Sequence, residues 1–368
     1  RILNSMTRLL TLCLVPLLLA VFSPPSALAQ NTPRAPATPI AYMEPPPGEG
    51  PVRVAIRFHL QNIHRIDDGA ETIDFSGILT LHWQDRRQAF DPAKVGASEK
   101  VFTGNYQFNE ISPGWFPPVV VTNAVGSPDS QGVVLRVAPD GSSSIQMQVH
   151  ATVRSGMQLG RMPFDDQRLR LMFAVMGFDS EEVVLVAEEG GATMDTDVIR
   201  LPEWRLLAIG LSPLSPQTGS DEFGMDSSAV VVQVEVKRRP FFMLRLVVGP
   251  LALIVLLSWS VFWMERSSLG DRMAVSFVGI LTAVAYQSLV SEITPHIAYI
   301  TFLNAFMVMS MLLMSATVAV NLIVAVCDKR GNPVLGDHID RVSRWVFPLI
   351  YAGLISLAFL LTFFILGK

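Results

Sequence analysis

Cysteine is almost missing from this sequence. Its 368 residues include two, Cys13 and Cys327. Cys13 lies in an N-terminal segment that reads as an export signal. Its removal leaves Cys327 alone and excludes an intrachain disulfide. Charge is sparse as well, at 16% Asp, Glu, Lys and Arg with a net charge of -4. No basic run and no interleaving of bases with aromatics occurs, so nucleic acid is not an expected partner. Catalytic signatures are also lacking. There is no G-x-S-x-G, no H-E-x-x-H, no Walker A loop and no Rossmann fingerprint. The six histidines (His59, His64, His82, His150, His296 and His338) are scattered, with no pair at metal-ligand spacing. The chain does not read as an enzyme, calls for no cofactor, and lacks the thiols for a C-x-x-C metal site.

Apolar sequence is abundant. Half of the residues are hydrophobic and the mean hydropathy is +0.40, which points to a membrane protein with a sizeable polar part. Residues 1–29 read as a signal peptide whose start is Met6. Arg8 forms its basic end, Leu9 to Phe22 its apolar centre, and Ala27-Leu28-Ala29 its cleavage site. Residues 30–51, rich in proline, alanine and glycine, read as a flexible leader. Residues 52–239 read as an all-β sandwich. Apolar and polar residues alternate in "SIQMQVHATVRS". "ILTLHW", "RLRLMFAV", "EVVLVAE" and "AVVVQVEVKR" are further short runs, separated by Gly, Pro, Asp and Ser.

Residues 240–368 read as a transmembrane domain with helices at about 241–264, 272–293, 297–326 and 345–366. Each is long enough for a ~30 Å bilayer core. Arg266 and Arg272 lie between the first two runs. Lys329, Arg330, Arg341 and Arg344 lie between the last two. Basic loops stay in the cytoplasm, so the β domain and the C-terminus are expected outside.

The second run carries polar groups that a lipid anchor does not need. On a helix, Ala274, Val278, Leu281, Ala285, Ser288 and Glu292 form one stripe, spaced by four or three residues, and Asp271 lies near its inner end. One reading is a small-residue seam inside a four-helix bundle. The other is a pore wall in a ring of subunits. Carboxylates at both mouths would then gather cations, and Leu281 would form a dry constriction. Outside the membrane, Asp179, Glu181, Glu182, Asp195, Asp197, Asp221, Glu222 and Asp226 are solvated turns or a source of hard oxygen ligands for Ca²⁺.

Several motifs, in order, resemble one family. These are "IHRIDDGAET" with Asp67 and Asp68, "WQDRRQAFDP", "WFPPVVVTN", "MPFDDQRL", "KRRPFF", Pro250 inside the first helix, and "RWVFPLIY". From about Val52 onward the chain is similar to bacterial pentameric ligand-gated ion channels, relatives of the Cys-loop receptors. Ser155 and Leu169 stand where the animal members carry their loop cysteines. The resemblance implies an extracellular β sandwich, four transmembrane helices, and a homopentamer around a central pore in a bacterial inner membrane. It implies contact with membrane lipid, passage of permeant cations and opening by an unidentified small-molecule agonist, protons or Ca²⁺.

It also implies roles for residues. Leu281 maps to the mid-pore leucine and Asp271 to the inner acid that goes with cation selectivity. Arg238 meets Asp67 or Asp68 and the loop of Pro163, Phe164 and Asp165, and Pro295 completes the coupling surface. Ile78, Thr122 and Met176 map to the ligand positions, and none is aromatic. Phe178, Asp179 and Phe223 are added as neighbouring candidates, with Asp179, Glu181, Glu182, Asp221 and Glu222 for Ca²⁺. The rival reading is a membrane-anchored periplasmic sensor that does not conduct.

Overall fold

The computed structural model describes residues 44–104, 114–214, 227–265, 268–293 and 301–364. The alternating runs form ten strands: β1 Val52–Asp67, β2 Thr72–Gln84, β3 Lys100–Gly104, β4 Val119–Val121, β5 Asp129–Val137, β6 Ser142–Arg154, β7 Asp166–Val175, β8 Val183–Met194, β9 Trp204–Pro213 and β10 Ala229–Arg238. They make two sheets, ordered β3-β5-β6-β2-β1-β8 and β4-β7-β10-β9. Pairing is antiparallel except between β1 and β8.

The physical cause is the period of two. Along β6, Ile145, Met147, Val149, Ala151 and Val153 point inward while Gln146, Gln148 and His150 point outward. The inward residues of both sheets make one core, in which Phe58 meets Phe75 and Phe173 at centroid distances of 5.9 and 5.3 Å. Gly77 is required there, because a Cβ would collide with the Phe58 ring.

Past β2 the chain turns on Asp85, whose side chain is fully buried. Oδ1 accepts from Arg87 N (3.0 Å) and Nε (2.9 Å); Oδ2 accepts from Arg87 Nη2 (3.0 Å) and Gln88 Nε2 (3.1 Å). Burial opposes this charge, but the bonds from Arg87 and Gln88 outweigh it and hold the carboxyl below its ordinary range. A depressed pKa adds stability above the unfolded value of about 3.9, which is lost as pH falls through the folded value. Asp85→Ala removes the buried acceptor of four hydrogen bonds, three of them from Arg87, and is expected to cost about 3 kcal/mol. Denaturant unfolding followed by tryptophan fluorescence measures this, and a loss below about 0.5 kcal/mol, an ordinary surface effect, would contradict the assignment.

Among the described residues, four helices follow that are long and apolar enough to cross a membrane: α1 Pro240–Trp263, α2 Leu269–Ile293, α3 Phe302–Lys329 and α4 Pro333–Phe364. α1 is not regular. It contains a π-helical turn over Leu244–Val248 and ends in a 3₁₀ turn over Ser260–Trp263. Pro250 has no N–H for the Leu246 carbonyl. The Tyr286 hydroxyl of α2 donates to that carbonyl instead. α3 is capped by Thr301, whose hydroxyl accepts from Asn304 N at 3.3 Å.

α4 starts well before the apolar run from which hydropathy placed it near residue 345. Its first three turns carry Asp337, His338, Asp340 and Arg341 among the apolar residues, yet Gly336, Asp340, Ser343 and Phe347 share a buried face. Packing on that face extends the helix where hydropathy gives no signal.

Candidate functional site

Two groups of predicted residues stand out, one between the β domain and the helices and one along α2. The first is centred on Arg238, the last residue of β10. Its side chain is fully buried, and its Nε and Nη2 donate to Asp165 Oδ1 and Oδ2 at 2.7 and 3.2 Å. Nη1 lies 2.8 Å from Asp68 Oδ2. The guanidinium carbon lies 4.0 Å from the centroid of the Trp204 ring, a cation–π contact. One buried cation therefore sits between two carboxylates.

Asp68 is the turn residue that meets Arg238. Its neighbour Asp67 pairs with Arg65 (2.6 Å) and accepts the backbone N–H groups of Gly69 and Ala70. Burial pushes the Asp68 carboxyl up, and the Arg238 contact only partly offsets this. Burial lowers the Arg238 pKa, but Asp165 and Asp68 outweigh it, so its net shift is upward.

The loop that supplies Asp165 is braced at its neck. Ser155 Oγ accepts from Arg170 N at 3.0 Å. Gln167 accepts from Gln158 N (3.0 Å) and donates to Gln158 O (2.8 Å) and Asp165 Oδ2 (2.7 Å). Within the loop, Phe164 packs edge-on to Phe302 of α3 and Phe359 of α4, at 6.0 and 5.5 Å. Adjacent residues thus grip Arg238 and touch two membrane helices. Pro295 and His296 lie outside the described residues.

The second group is the α2 stripe. Asp271, Ala274, Val278, Leu281, Ala285, Ser288 and Glu292 are all exposed on the single chain, Val278 at 63% and Leu281 at 70%. The opposite face holds buried Arg272, Ser276, Ala283 and Val290. Ser276 accepts from Asn321 Nδ2 of α3 at 3.1 Å. Gly279 faces Ser258 of α1, where a Cβ would come to 3.3 Å of the serine Cβ. The hydroxyls of Thr282 and Ser288 bond to carbonyls of their own helix. The polar residues of α2 therefore divide: Ser276 and Tyr286 hold the bundle, while the stripe faces away from it.

The ligand candidates are not gathered by one chain. Ile78 lies on the outer face of the six-stranded sheet, opposite His59 and Gln148. Thr122 bonds to Met172 O from the end of β4, and Met176 is 59% exposed beyond β7, both at the four-stranded sheet. Phe178 is held edge-on against Trp115 at 6.1 Å and packs on the core. Asp179 closes its own turn, its Oδ1 accepting from Glu181 N and Glu182 N. No group of three or more metal-capable side chains occurs among the described residues. Asp221, Glu222 and Phe223 lie outside them.

One juxtaposition escaped the sequence. β2 and β6 bring Ser76 beside His150, and the rings of His64 and His150 lie 5.3 Å apart. His150 Nε2 is 3.4 Å from Asp74 Oδ1. Outward alternation on three strands was the only available signal.

Residues 41–240 match the family described as "Neurotransmitter-gated ion-channel ligand binding domain", and residues 247–333 match "Neurotransmitter-gated ion-channel transmembrane region". A proton-gated ion channel of Gloeobacter violaceus is 27% identical over 317 residues, covering 86% of this chain and 85% of that protein. The human gamma-aminobutyric acid receptor subunit rho-3 is 21% identical, covering 84% and 67%. A glutamate-gated chloride channel of Drosophila melanogaster is 23% identical, covering 68% and 54%. Two matched regions, a two-sheet β domain and four apolar helices agree, and the chain belongs to the pentameric ligand-gated ion channels, a family of receptors and not of enzymes.

Proposed function

We propose that this chain forms a homopentameric, cation-selective channel of a bacterial inner membrane. Five α2 stripes line its pore, and the β domain and C-terminus lie on the periplasmic side. The observation that carries the reading is the exposure of all seven stripe residues beside a buried opposite face. Asp271 and Glu292 then form acidic rings at the two mouths, which concentrate cations and repel anions. These two residues, and not kinship, support the selectivity, since the similar proteins include both a proton-gated ion channel and a glutamate-gated chloride channel.

The stimulus we favour is the proton, acting at Asp68, with Ca²⁺ or a small ligand as the alternatives to be screened. The Asp68 pKa is raised, chiefly by burial. Ionising it therefore costs the folded arrangement free energy. The stability of the protonated form is full below the unfolded value near ~3.9 and is lost as pH rises through the folded value. Acidification into that window neutralises Asp68 and leaves Arg238 with Asp165 alone. A contact whose strength differs between two states biases the equilibrium between them.

The test is planar-bilayer recording of purified protein across pH, Ca²⁺ and a small-molecule panel, with subunit stoichiometry in detergent. Cation current that appears on acidification is expected. Asp68→Asn, which imitates the protonated acid, is expected to raise activity at neutral pH. A monodisperse, non-conducting monomer would overturn the channel reading. Reversal potentials that follow chloride would overturn the selectivity. A pH response unchanged in Asp68→Asn would remove Asp68 as the sensor.

A further inference from the structure

Arg272 follows Asp271 directly, yet the two side chains have opposite fates. Asp271 is exposed on the stripe, whereas Arg272 is 1% exposed. The Arg272 Nη2 donates to Asp340 Oδ1 of α4 at 2.9 Å, and its Nε donates to Val261 O of α1 at 3.1 Å. Asp340 is itself 3% exposed. One turn further along α4, Arg344 Nε donates to Phe262 O at 2.8 Å. Two carbonyls in the last turn of α1 thus accept from arginines of two other helices, and that of Val261 also accepts from Met264 N at 3.1 Å. A buried guanidinium is tolerated only while its charge is met. Asp340 supplies that charge from a helix that packs mainly on α3.

We propose that Asp340 is a selectivity-positioning residue of the channel. It holds Arg272 inside the bundle, and the inner mouth is left with the charge of Asp271 alone. The proposal rests on the pore reading above. Arginine has a long, flexible stem and stays charged at any accessible pH. With its carboxylate removed, Arg272 would swing around α2 toward the inner mouth, where its chain neighbour Asp271 is already exposed. Each subunit would then contribute one cation against one anion, and the inner ring would lose its net charge.

The experiment compares reversal potentials under a sodium chloride gradient for the wild-type pentamer, Asp340→Asn, Asp340→Glu and the double variant Arg272→Met/Asp340→Leu. Asp340→Asn is expected to lower the sodium-to-chloride permeability ratio about tenfold, the low end of the counter-ion enrichment that a cleft of one charge sign produces. Asp340→Glu and the apolar double variant are expected to keep the wild-type ratio, the latter because no arginine remains to be released. An Asp340→Asn channel with an unchanged ratio overturns the proposal, as does a double variant as unselective as the single one.

If Asp340→Asn does not assemble, Asp271→Asn decides. With Arg272 sequestered, that channel keeps a weakened cation preference from the Glu292 ring and does not turn to anions; a reversal to chloride would show Arg272 already at the mouth and overturn the proposal. A chloride-selective wild type would instead reject the cation selectivity proposed above, and that outcome is separate from either of these.

Discussion

Arg238→Glu is expected to abolish gating. Arg238 is buried between Asp165 and Asp68 and stacked on Trp204. Removing the cation of such a cluster costs about 3–5 kcal/mol, and the lost cation–π contact adds about 1 kcal/mol. A glutamate there also places three carboxylates together. The damage is not confined to the β domain, because the Asp165 loop carries Phe164 into contact with α3 and α4.

Three companion variants separate gating from folding. Arg238→Lys keeps the charge but loses the fork on Asp165, and should assemble with a stimulus sensitivity shifted about tenfold, or ~1.4 kcal/mol. Asp68→Lys and Asp165→Lys, each placed on the Arg238→Glu background, should partly restore gating by returning a cation to the cluster. The readouts are current and pentamer yield by size exclusion. A normal response in Arg238→Glu would refute the coupling role.

The second large effect is expected at Leu281. In the proposed pore its ring is an apolar constriction that closes by dewetting. Leu281 is 70% exposed on the single chain, so little intrachain packing is lost when it is changed. Leu281→Ser should therefore leave assembly intact and let water and ions enter. Resting current without stimulus should rise at least about tenfold, equivalent to ~1.4 kcal/mol in favour of the open state. Unchanged resting current in an assembled pentamer would place the constriction elsewhere. Ala274 and Val278, on the same exposed stripe, are then the next residues to change.

The strands were legible because burial on one face of a sheet imposes alternation, as along β6. The apolar helices were legible because lipid tolerates few charges over ~20 residues. The α2 stripe was legible for the same kind of reason, since helical spacing places Asp271 and Glu292 on one line with Leu281. The start of α4 was not legible. Its first turns are held by a buried face, and hydropathy does not register which partner a polar residue will find.

Composition and periodicity sufficed for a β domain followed by four apolar helices, and ordered motifs sufficed for the family. Those properties are local or additive along the chain. The choice of Asp68 over Asp67 for Arg238 depends on how one turn is folded. Arg272 read as an ordinary basic residue of a cytoplasmic loop, yet it is buried against Asp340, a residue 68 positions away. His64 and His150 met only through strand register. Each of these pairings joins charges or rings far apart in sequence or separated by a single residue on a turn, and packing selects among candidates that the sequence leaves equivalent.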